Sequence, residues 1–222
     1  MTTLTMPTPR RDSGMEGMTA KWYAANTAEM MNEYVDLARR IAGELAPGSS
    51  ALEIAPGPGY FSIELARRGP YIITGIDISH TFVKMAAKTA AKAGVKVDFR
   101  QGSASSLPIQ DSSYDFILCR AAFKNFAEPV RALQEMCRVL KPGGKALLID
   151  LKGNASPQEI SREVDNMGLS WMNKVFTKVI FKTMLIKRAY TREQFEDMLT
   201  QTSFTRIDID ENNIGFEISM TK

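Results

Sequence analysis

Two carboxylates and two glycines are the residues most clearly placed to do chemistry. Glu53 stands in the apolar run Leu52-Glu53-Ile54-Ala55, which leads directly into Pro56-Gly57-Pro58-Gly59, and Asp77 follows Gly59 by eighteen residues at the end of a second apolar run. Gly57 and Gly59 allow a backbone to approach a ligand where a Cβ would obstruct it. A carboxylate at Asp77 can accept hydrogen bonds from both hydroxyls of a ribose, the arrangement that adenosine cofactors share on doubly wound sheets. Charge then separates two such cofactors. A dinucleotide lays a dianionic pyrophosphate over the loop and draws on its amide donors, whereas here Glu53 brings negative charge, and Pro56 and Pro58 each remove an N–H. S-adenosylmethionine carries an ammonium, a sulfonium and a single carboxylate, so an acidic residue ahead of the loop suits it. The spacing Gly57-x-Gly59-x-x-Ser62 also lacks the third glycine of the dinucleotide fingerprint. The loop favours S-adenosylmethionine, with NAD on a related fold and a purely structural tight turn as the alternatives.

Those groups need strands that alternate with helices. Met31, Tyr34, Val35, Ala38, Ile41, Ala42 and Leu45 recur at three- and four-residue steps, predicting a helix from Asn26, capped there with Glu29 and ended by Pro47-Gly48. Ala51–Ala55 reads as a buried strand, followed by a helix over Phe61–Arg68, the strand YIITGID, a helix through Met85 to Ala93 stopped by Gly94, and the strand VKVDFRQ. YDFILCR, a helix over Pro129–Leu140, the turn Lys141-Pro142-Gly143-Gly144 and the strand KALLIDL continue the pattern. Continuous apolar strands in βαβ succession predict a mostly parallel sheet with helices on both faces. Thr191-x-x-Gln194 is a capping box opening the helix EQFEDML, and TRIDIDE and IGFEISM, joined across Asn212-Asn213, predict an antiparallel hairpin at the sheet edge. The expected fold is α/β: a doubly wound, seven-stranded, mostly parallel sheet with an antiparallel C-terminal hairpin strand.

Composition narrows the function classes. The chain has 222 residues, 44% hydrophobic and 24% charged, in keeping with one globular domain. A net charge of +3, from 28 basic and 25 acidic residues, gives no strongly cationic face for nucleic acid. Cys119 and Cys137 form neither a disulfide framework nor a metal cluster, which fits a reducing cytoplasm, and the single histidine, His80, leaves no room for a His-based metal site or a Ser/His/Asp triad. No metal is expected. MTTLTMPTPRRD at the start has no apolar h-region and reads as a loose tail.

LEIAPGPGY, GIDIS, QGSASSLP, YDFILCR and LKPGGKALLID occur in this order over about residues 50–151. In these segments and their spacing the chain resembles class I S-adenosylmethionine-dependent methyltransferases of the small-molecule type, similar to the ubiquinone/menaquinone-biosynthesis C-methyltransferases. The resemblance implies a Rossmann-like fold and methyl transfer from S-adenosylmethionine, with S-adenosylhomocysteine as product. It also implies that Glu53, Ala55, Gly57 and Gly59 line the methionine end, Asp77 holds the ribose, Ile78 packs on the adenine, and Ser103 and Ala104 meet its polar edge. Two departures stand out: the family's first loop glycine is Ala55 here, and the acidic residue common in its adenine segment is Ser103. Asp115 is expected to anchor a strand start, and the Lys-Pro-Gly-Gly turn to be structural.

Methyl transfer asks the protein mainly to align a nucleophile and exclude water. Residues beyond the fourth and fifth strands, Arg120, Lys124, Asn125, Asp150 and Lys152, are placed for the acceptor, because ligands of open α/β sheets bind past the carboxyl ends of strands. Arg120, Lys124, Asn125 and Tyr23 are the candidate catalytic groups, Tyr23 and Arg120 doubling as cofactor contacts; His80 reads as an exposed or capping residue. In similar methyltransferases an aromatic-bearing N-terminal helix folds over the cofactor, a role open here to Trp22 and Tyr23. The single domain divides into a tail and lid helices (1–49), a cofactor core (50–151), a cap insertion (152–190) and a closing helix and hairpin (191–222). Within the insertion Val175, Phe176, Val179, Ile180, Thr183 and Met184 form an apolar stripe and Lys174, Lys178 and Lys182 a basic ridge. Charge every four residues rules out a transmembrane span there. The lysines fit a solvated outer face, and a substrate wall or a membrane or oligomer contact through the N-terminal or 170–188 helix stays open. The expected partner is a small-molecule acceptor, with no nucleic acid. A non-catalytic protein that kept the cofactor site is the other reading besides the NAD enzyme.

Overall fold

The first five strands run parallel to one another. In the computed structural model, which describes residues 14–166 and 171–222, the strands are β1 (Ser50–Ile54), β2 (Ile72–Asp77), β3 (Asp98–Gln101), β4 (Tyr114–Arg120), β5 (Leu140–Leu151), β6 (Arg206–Glu211) and β7 (Gly215–Thr221). They form one seven-stranded sheet in the order β3-β2-β1-β4-β5-β7-β6. Strand order reverses between β1 and β4, the place where such sheets open a crevice at their carboxyl ends. The C-terminal hairpin does not simply extend the edge: β7 inserts antiparallel between β5 and β6, and β6 becomes the edge.

Alternation along each strand divides the core. Leu52, Ile54, Ile117, Cys119 and Leu148 face α5 (Pro129–Val139) and α8 (Arg192–Leu199), meeting Leu133, Met136, Phe195 and Met198. Ala51, Phe116, Leu118 and Leu147 face α2 (Met31–Glu44) and α3 (Tyr60–Ala66), meeting Leu37, Ile41, Phe61 and Leu65. The leucine, isoleucine, phenylalanine and methionine side chains among these each contribute about 1.5–3 kcal/mol on burial, so the sheet is clamped from both sides and its carboxyl ends form a fixed platform. α4 (His80–Lys92) packs over β2 and β3, with Ser79 accepting the Phe82 N–H at 3.1 Å as its cap. The Thr191–Gln194 capping box forms reciprocally at the start of α8, as the sequence predicts.

Three local expectations are corrected. The helix predicted from Asn26 starts later, as α2 at Met31, because Asn26 closes α1 (Gly17–Thr27), the aromatic-bearing N-terminal helix, and a 3₁₀ turn at Ala28–Met30 separates the two. Asn26 belongs to α1 and donates to the Trp22 carbonyl (2.7 Å), while the Thr27 hydroxyl bonds back to Tyr23 and Ala24, so no polar cap forms at Asn26. The Lys141–Gly144 turn is absorbed into β5 as a bulge: Leu140 pairs with Tyr114, the register shifts, and Gly143 and Gly144 exchange hydrogen bonds with Lys222.

The third correction concerns the insertion, built from α6 (Pro157–Asn166) and α7 (Trp171–Ile180). Two lysines of its basic ridge turn toward α6. Lys174 donates to the Asp165 carbonyl (2.7 Å) and Lys178 to both Asp165 carboxylate oxygens (2.9 Å), while Trp171, Val175 and Val179 are 75%, 56% and 52% exposed. The side chains of Glu29, Phe176, Lys182 and Met184, and the N-terminal dozen residues, lie outside the described set.

Candidate functional site

The loop after β1 is held in three left-handed steps: Ala55 at φ +55°, Gly57 at +54° and Gly59 at +81°. Gly59 is required twice over, since a Cβ there would lie 2.7 Å from Phe99 Cζ and 2.9 Å from the Ala86 Cβ. Ala55 adopts the same hand with its Cβ in place, a conformation that costs an L-residue about 1–2 kcal/mol. Asp77 ties this loop to the next strand. Its Oδ2 accepts the Gly57 N–H at 2.9 Å and its Oδ1 the Ser79 N–H at 2.8 Å, and a carboxylate oxygen has lone-pair room for a further donor.

Glu53 points from β1 toward α3. Its Oε2 accepts both the Ser62 N–H (3.1 Å) and the Ser62 hydroxyl (2.5 Å), and its Oε1 takes no hydrogen bond among the described residues. Burial raises its pKa to about 7, against the pull of the Ser62 bonds and the Arg120 charge. Burial likewise pushes Asp77 up, opposed by the Ser79 and Gly57 N–H groups. Neither carboxylate has an ion-pair partner among the described residues, although both are buried.

The adenine-side candidates gather where β2 and β3 end. The Ile78 carbonyl accepts from the Gln101 side chain (3.1 Å), and the Gly102 N–H donates to the Asp77 carbonyl (3.0 Å). Ser103 accepts the Ser105 N–H at 3.2 Å and bridges to Ser106, and Ala104 packs against the α5/α8 core. His80 is exposed, as the sequence suggests; its N–H is bonded to Glu16 at 2.9 Å.

Glu16 is the functional-looking residue that the sequence does not disclose. Its carboxylate caps α4 through the N–H groups of His80 and Thr81 (3.0 Å) and the Thr81 hydroxyl, while the Ser79 hydroxyl donates to the Met15 carbonyl at 2.5 Å. Gly14 lies against the same turn, where a Cβ would come within 2.8 Å of Ser79 Cα. The chain is thereby strapped beside Asp77 before α1 begins. Further along α1, Tyr23 crosses Phe82 edge-on (centroids 5.8 Å apart) and is the nearest group to the open side of Gly57. Burial raises the Tyr23 pKa, with Asp150 and Asp77 adding to the rise and Arg120 opposing it. Tyr23 thus stands in the field of groups from β2, β4 and β5 together, whereas Trp22 beside it is 56% exposed.

At the ends of β4 and β5 the candidates divide. Arg120 is ion-paired to Glu33 and stacks over the Tyr34 ring, 4.4 Å from its centroid. Lys124 and Asp150 form a buried ion pair: Lys124 Nζ donates to Asp150 Oδ1 (2.8 Å) and to the Ala121 carbonyl (2.6 Å), and the Lys124 N–H donates to Asp150 Oδ2 (2.9 Å). Asn125 is exposed on the same turn. Lys152, grouped by sequence with the acceptor side, instead joins Glu159 and Glu211, each at 3.0 Å, and anchors the insertion at its neck. Asp115 does anchor the strand start, accepting from Ser50 and Lys141. Cys119 and Cys137 are buried free thiols, and among the described residues no group of acidic, histidine or cysteine side chains is arranged to hold a metal. No described helix is long and apolar enough to cross a membrane.

Residues 52–148 match the model of a family described as a methyltransferase domain. A demethylmenaquinone methyltransferase of Deinococcus radiodurans is 38% identical over 106 residues, covering 47% of this chain and 44% of that protein. One of Staphylococcus carnosus is 27% identical over 178 residues, covering 79% of this chain and 69% of its own. The chain spans about half the length of several of the curated relatives it matches. In fold, it superposes on a Methanococcus maripaludis protein assigned to the S-adenosyl-L-methionine-dependent methyltransferases, with a TM-score of 0.71 at 23% identity over 96% of this chain and 97% of that one.

Proposed function

Residues 52–148 carry a methyltransferase domain, and from that premise we propose that the protein transfers a methyl group from S-adenosylmethionine to a small organic acceptor. The observation that carries this reading is the pair of buried carboxylates, Glu53 and Asp77, at adjoining strand ends with no cation paired to either among the described residues. Burying carboxylates without a direct ion-pair partner is costly, and a cationic ligand offsets that cost where an anionic pyrophosphate would add to it. The donor set thus fits an amino-acid ammonium and a sulfonium, and disfavours a dinucleotide.

When bound, S-adenosylmethionine supplies a methyl group on positively charged sulfur, already activated for displacement. The chain's own work is to hold, orient and exclude water. Glu53 takes the ammonium through Oε1. Asp77 receives the ribose hydroxyls while its other lone pairs keep Gly57 and Ser79 in place. Ile78 borders the adenine, Ser103 and Ala104 meet its edge, and the Ala55-Gly57-Gly59 loop keeps the backbone close to the ligand. Tyr23 closes over the loop, strapped there through Glu16. Tyr23 and Asn125 are the groups we assign toward the acceptor; Lys124, held by Asp150, positions the turn that carries Asn125 and moves no proton.

We place the acceptor among small molecules and not nucleic acids, because 28 basic against 25 acidic residues are too balanced for a dedicated nucleic-acid binder. The names of the Deinococcus and Staphylococcus relatives make a quinone-type ring the first acceptor to try. The division into lid, cofactor core, cap insertion and closing hairpin assigns donor binding to the core and acceptor choice to the lid and cap. Two buried thiols suit a reducing cytoplasm, and the exposed apolar line of α7 is the surface we assign to any self-association. A thermal-shift titration tests the donor: S-adenosylhomocysteine should raise the unfolding temperature in a saturable way and NAD should leave it unmoved. Stabilisation by NAD alone would overturn the reading.

A further inference from the structure

Arg120 and Glu53 belong to neighbouring parallel strands, and their register puts them on one face. Glu53 pairs with Leu118, and Arg120 lies two residues beyond Leu118. Side chains two apart in a strand share a face, so Glu53 and Arg120 both project toward α2 and α3 at the carboxyl end of the sheet. One is a buried carboxylate with an uncommitted oxygen; the other is a guanidinium whose side chain is only 14% exposed.

Arg120 is far from satisfied. A guanidinium has five N–H donors, and among the described residues Arg120 uses one, toward Glu33. Tyr34 supports its flat face from α2. Glu33 itself stands on the first turn of α2 and is 56% exposed, and an ion pair with so exposed a member contributes little. Glu33 therefore presents to Arg120 a carboxylate that another carboxylate can replace. The Arg120 charge also registers at Glu53 and at Tyr23, so the guanidinium belongs to the same polar recess as the loop and lid. A negative group and a positive group, side by side on one sheet face, match the two ends of a zwitterionic α-amino acid.

We propose that Arg120 is the anchor for the α-carboxylate of the cofactor's amino-acid end, opposite Glu53, and that Glu33 is an internal competitor which yields the guanidinium when that carboxylate arrives. The assignment rests on the S-adenosylmethionine reading above. It makes Arg120 a specificity residue: it distinguishes adenosyl compounds that keep the carboxylate from those that have lost it. A planar fork suits a carboxylate bidentately, which lysine does not reproduce.

Calorimetric titration with S-adenosylmethionine and with decarboxylated S-adenosylmethionine, which keeps the sulfonium and the amine, tests this. The unmodified protein should prefer the carboxylate-bearing ligand by about ten- to a hundredfold, the range for charge-assisted hydrogen bonds. Arg120→Met should abolish that preference, with most of the loss falling on S-adenosylmethionine, and Arg120→Lys should retain part of it. Glu33→Gln should tighten S-adenosylmethionine a few-fold and leave the decarboxylated compound unchanged. Because the preference is a ratio taken within one variant, partial misfolding does not imitate its loss. Equal affinity of the unmodified protein for both ligands, or an equal fall for both in Arg120→Met, would overturn the assignment alone. Failure of the unmodified protein to bind either would overturn the donor reading and this assignment with it.

Discussion

Asp150 and the pair Glu53 and Asp77 are all buried carboxylates at the carboxyl end of the same sheet, yet their surroundings are opposite in kind. Asp150 at the end of β5 has Lys124 against it, accepts the backbone N–H groups of Lys124 and Leu151, and leaves charge balanced within the fold. Glu53 and Asp77 on β1 and β2 receive hydrogen bonds from loop N–H groups and Ser62 but have no ion-pair partner among the described residues. A buried charge that is paired reports on the architecture around it. One left unpaired is a standing cost that folding alone does not explain. The β4–β5 end is thus the built frame and the β1–β2 end the prepared receptor, with Arg120 at their boundary.

The contrast breaks first if removing Lys124 proves harmless. Lys124→Met strands the Asp150 carboxylate in the interior, and breaking a buried pair on one side costs about 3–5 kcal/mol. Urea unfolding should show that loss as a lower midpoint with little change in slope. A variant as stable as the parent would mean that the pair is not the frame, and would return Lys124 to the catalytic candidates.

Glu53 should respond with the opposite sign. Its folded pKa of about 7 lies above the ordinary 4.5, so between those values the folded state holds more proton than the unfolded one. Unfolding free energy from this group therefore falls as pH rises across that window and levels off above pH 7. The full excursion is about 3 kcal/mol, and Glu53→Gln should remove the slope while making the ligand-free protein more stable at pH 7 and above. S-adenosylmethionine, with its ammonium, should bind the ionised form, so its affinity should climb toward pH 7 and then flatten. In Glu53→Gln it should be weak at every pH. Parallel stability-against-pH curves for parent and variant would remove the distinction between receptor and frame.

Asp77→Ala carries a smaller energetic effect, read in binding. It deletes a charged acceptor and leaves the Gly57 and Ser79 N–H groups without their partner, so affinity for S-adenosylhomocysteine should fall by more than about tenfold, near the 1.4 kcal/mol that a tenfold change represents. Unchanged affinity would separate Asp77 from the receptor and leave it a loop tie only.

Much of this was readable from sequence where the signal is local. The strand Tyr114–Arg120 matches its apolar run end for end, and Thr191 with Gln194 forms the predicted cap, because three- and four-residue geometry decides both. The same holds for the loop glycines, whose spacing encodes turn chemistry. What stayed hidden depends on distant partners. Glu16 meets Thr81 across 65 positions and Lys124 meets Asp150 across 26, and nothing in the neighbourhood of an acidic residue announces a donor so remote. The periodicity of α7 revealed an amphipathic helix without saying which face turns inward. Asp165 on α6 captured Lys174 and Lys178, and the apolar line through Val175 and Val179 was left outside.

Ala55 provides the finest test, since it lies in the receptor loop but touches neither charge. Its φ of +55° places a Cβ where only glycine sits without strain. Glycine would relieve that strain yet widen the unfolded ensemble, so Ala55→Gly should gain about 0.5–1 kcal/mol in unfolding free energy, a shift resolvable by urea titration. Relaxing the loop should leave the partners of Glu53 and Asp77 in place, and S-adenosylhomocysteine affinity should then move less than about twofold. If the gain in stability came with a large loss of affinity, the alanine would be holding the loop in its binding shape. The cost of the β1–β2 end would then lie in its backbone as well as in its charges.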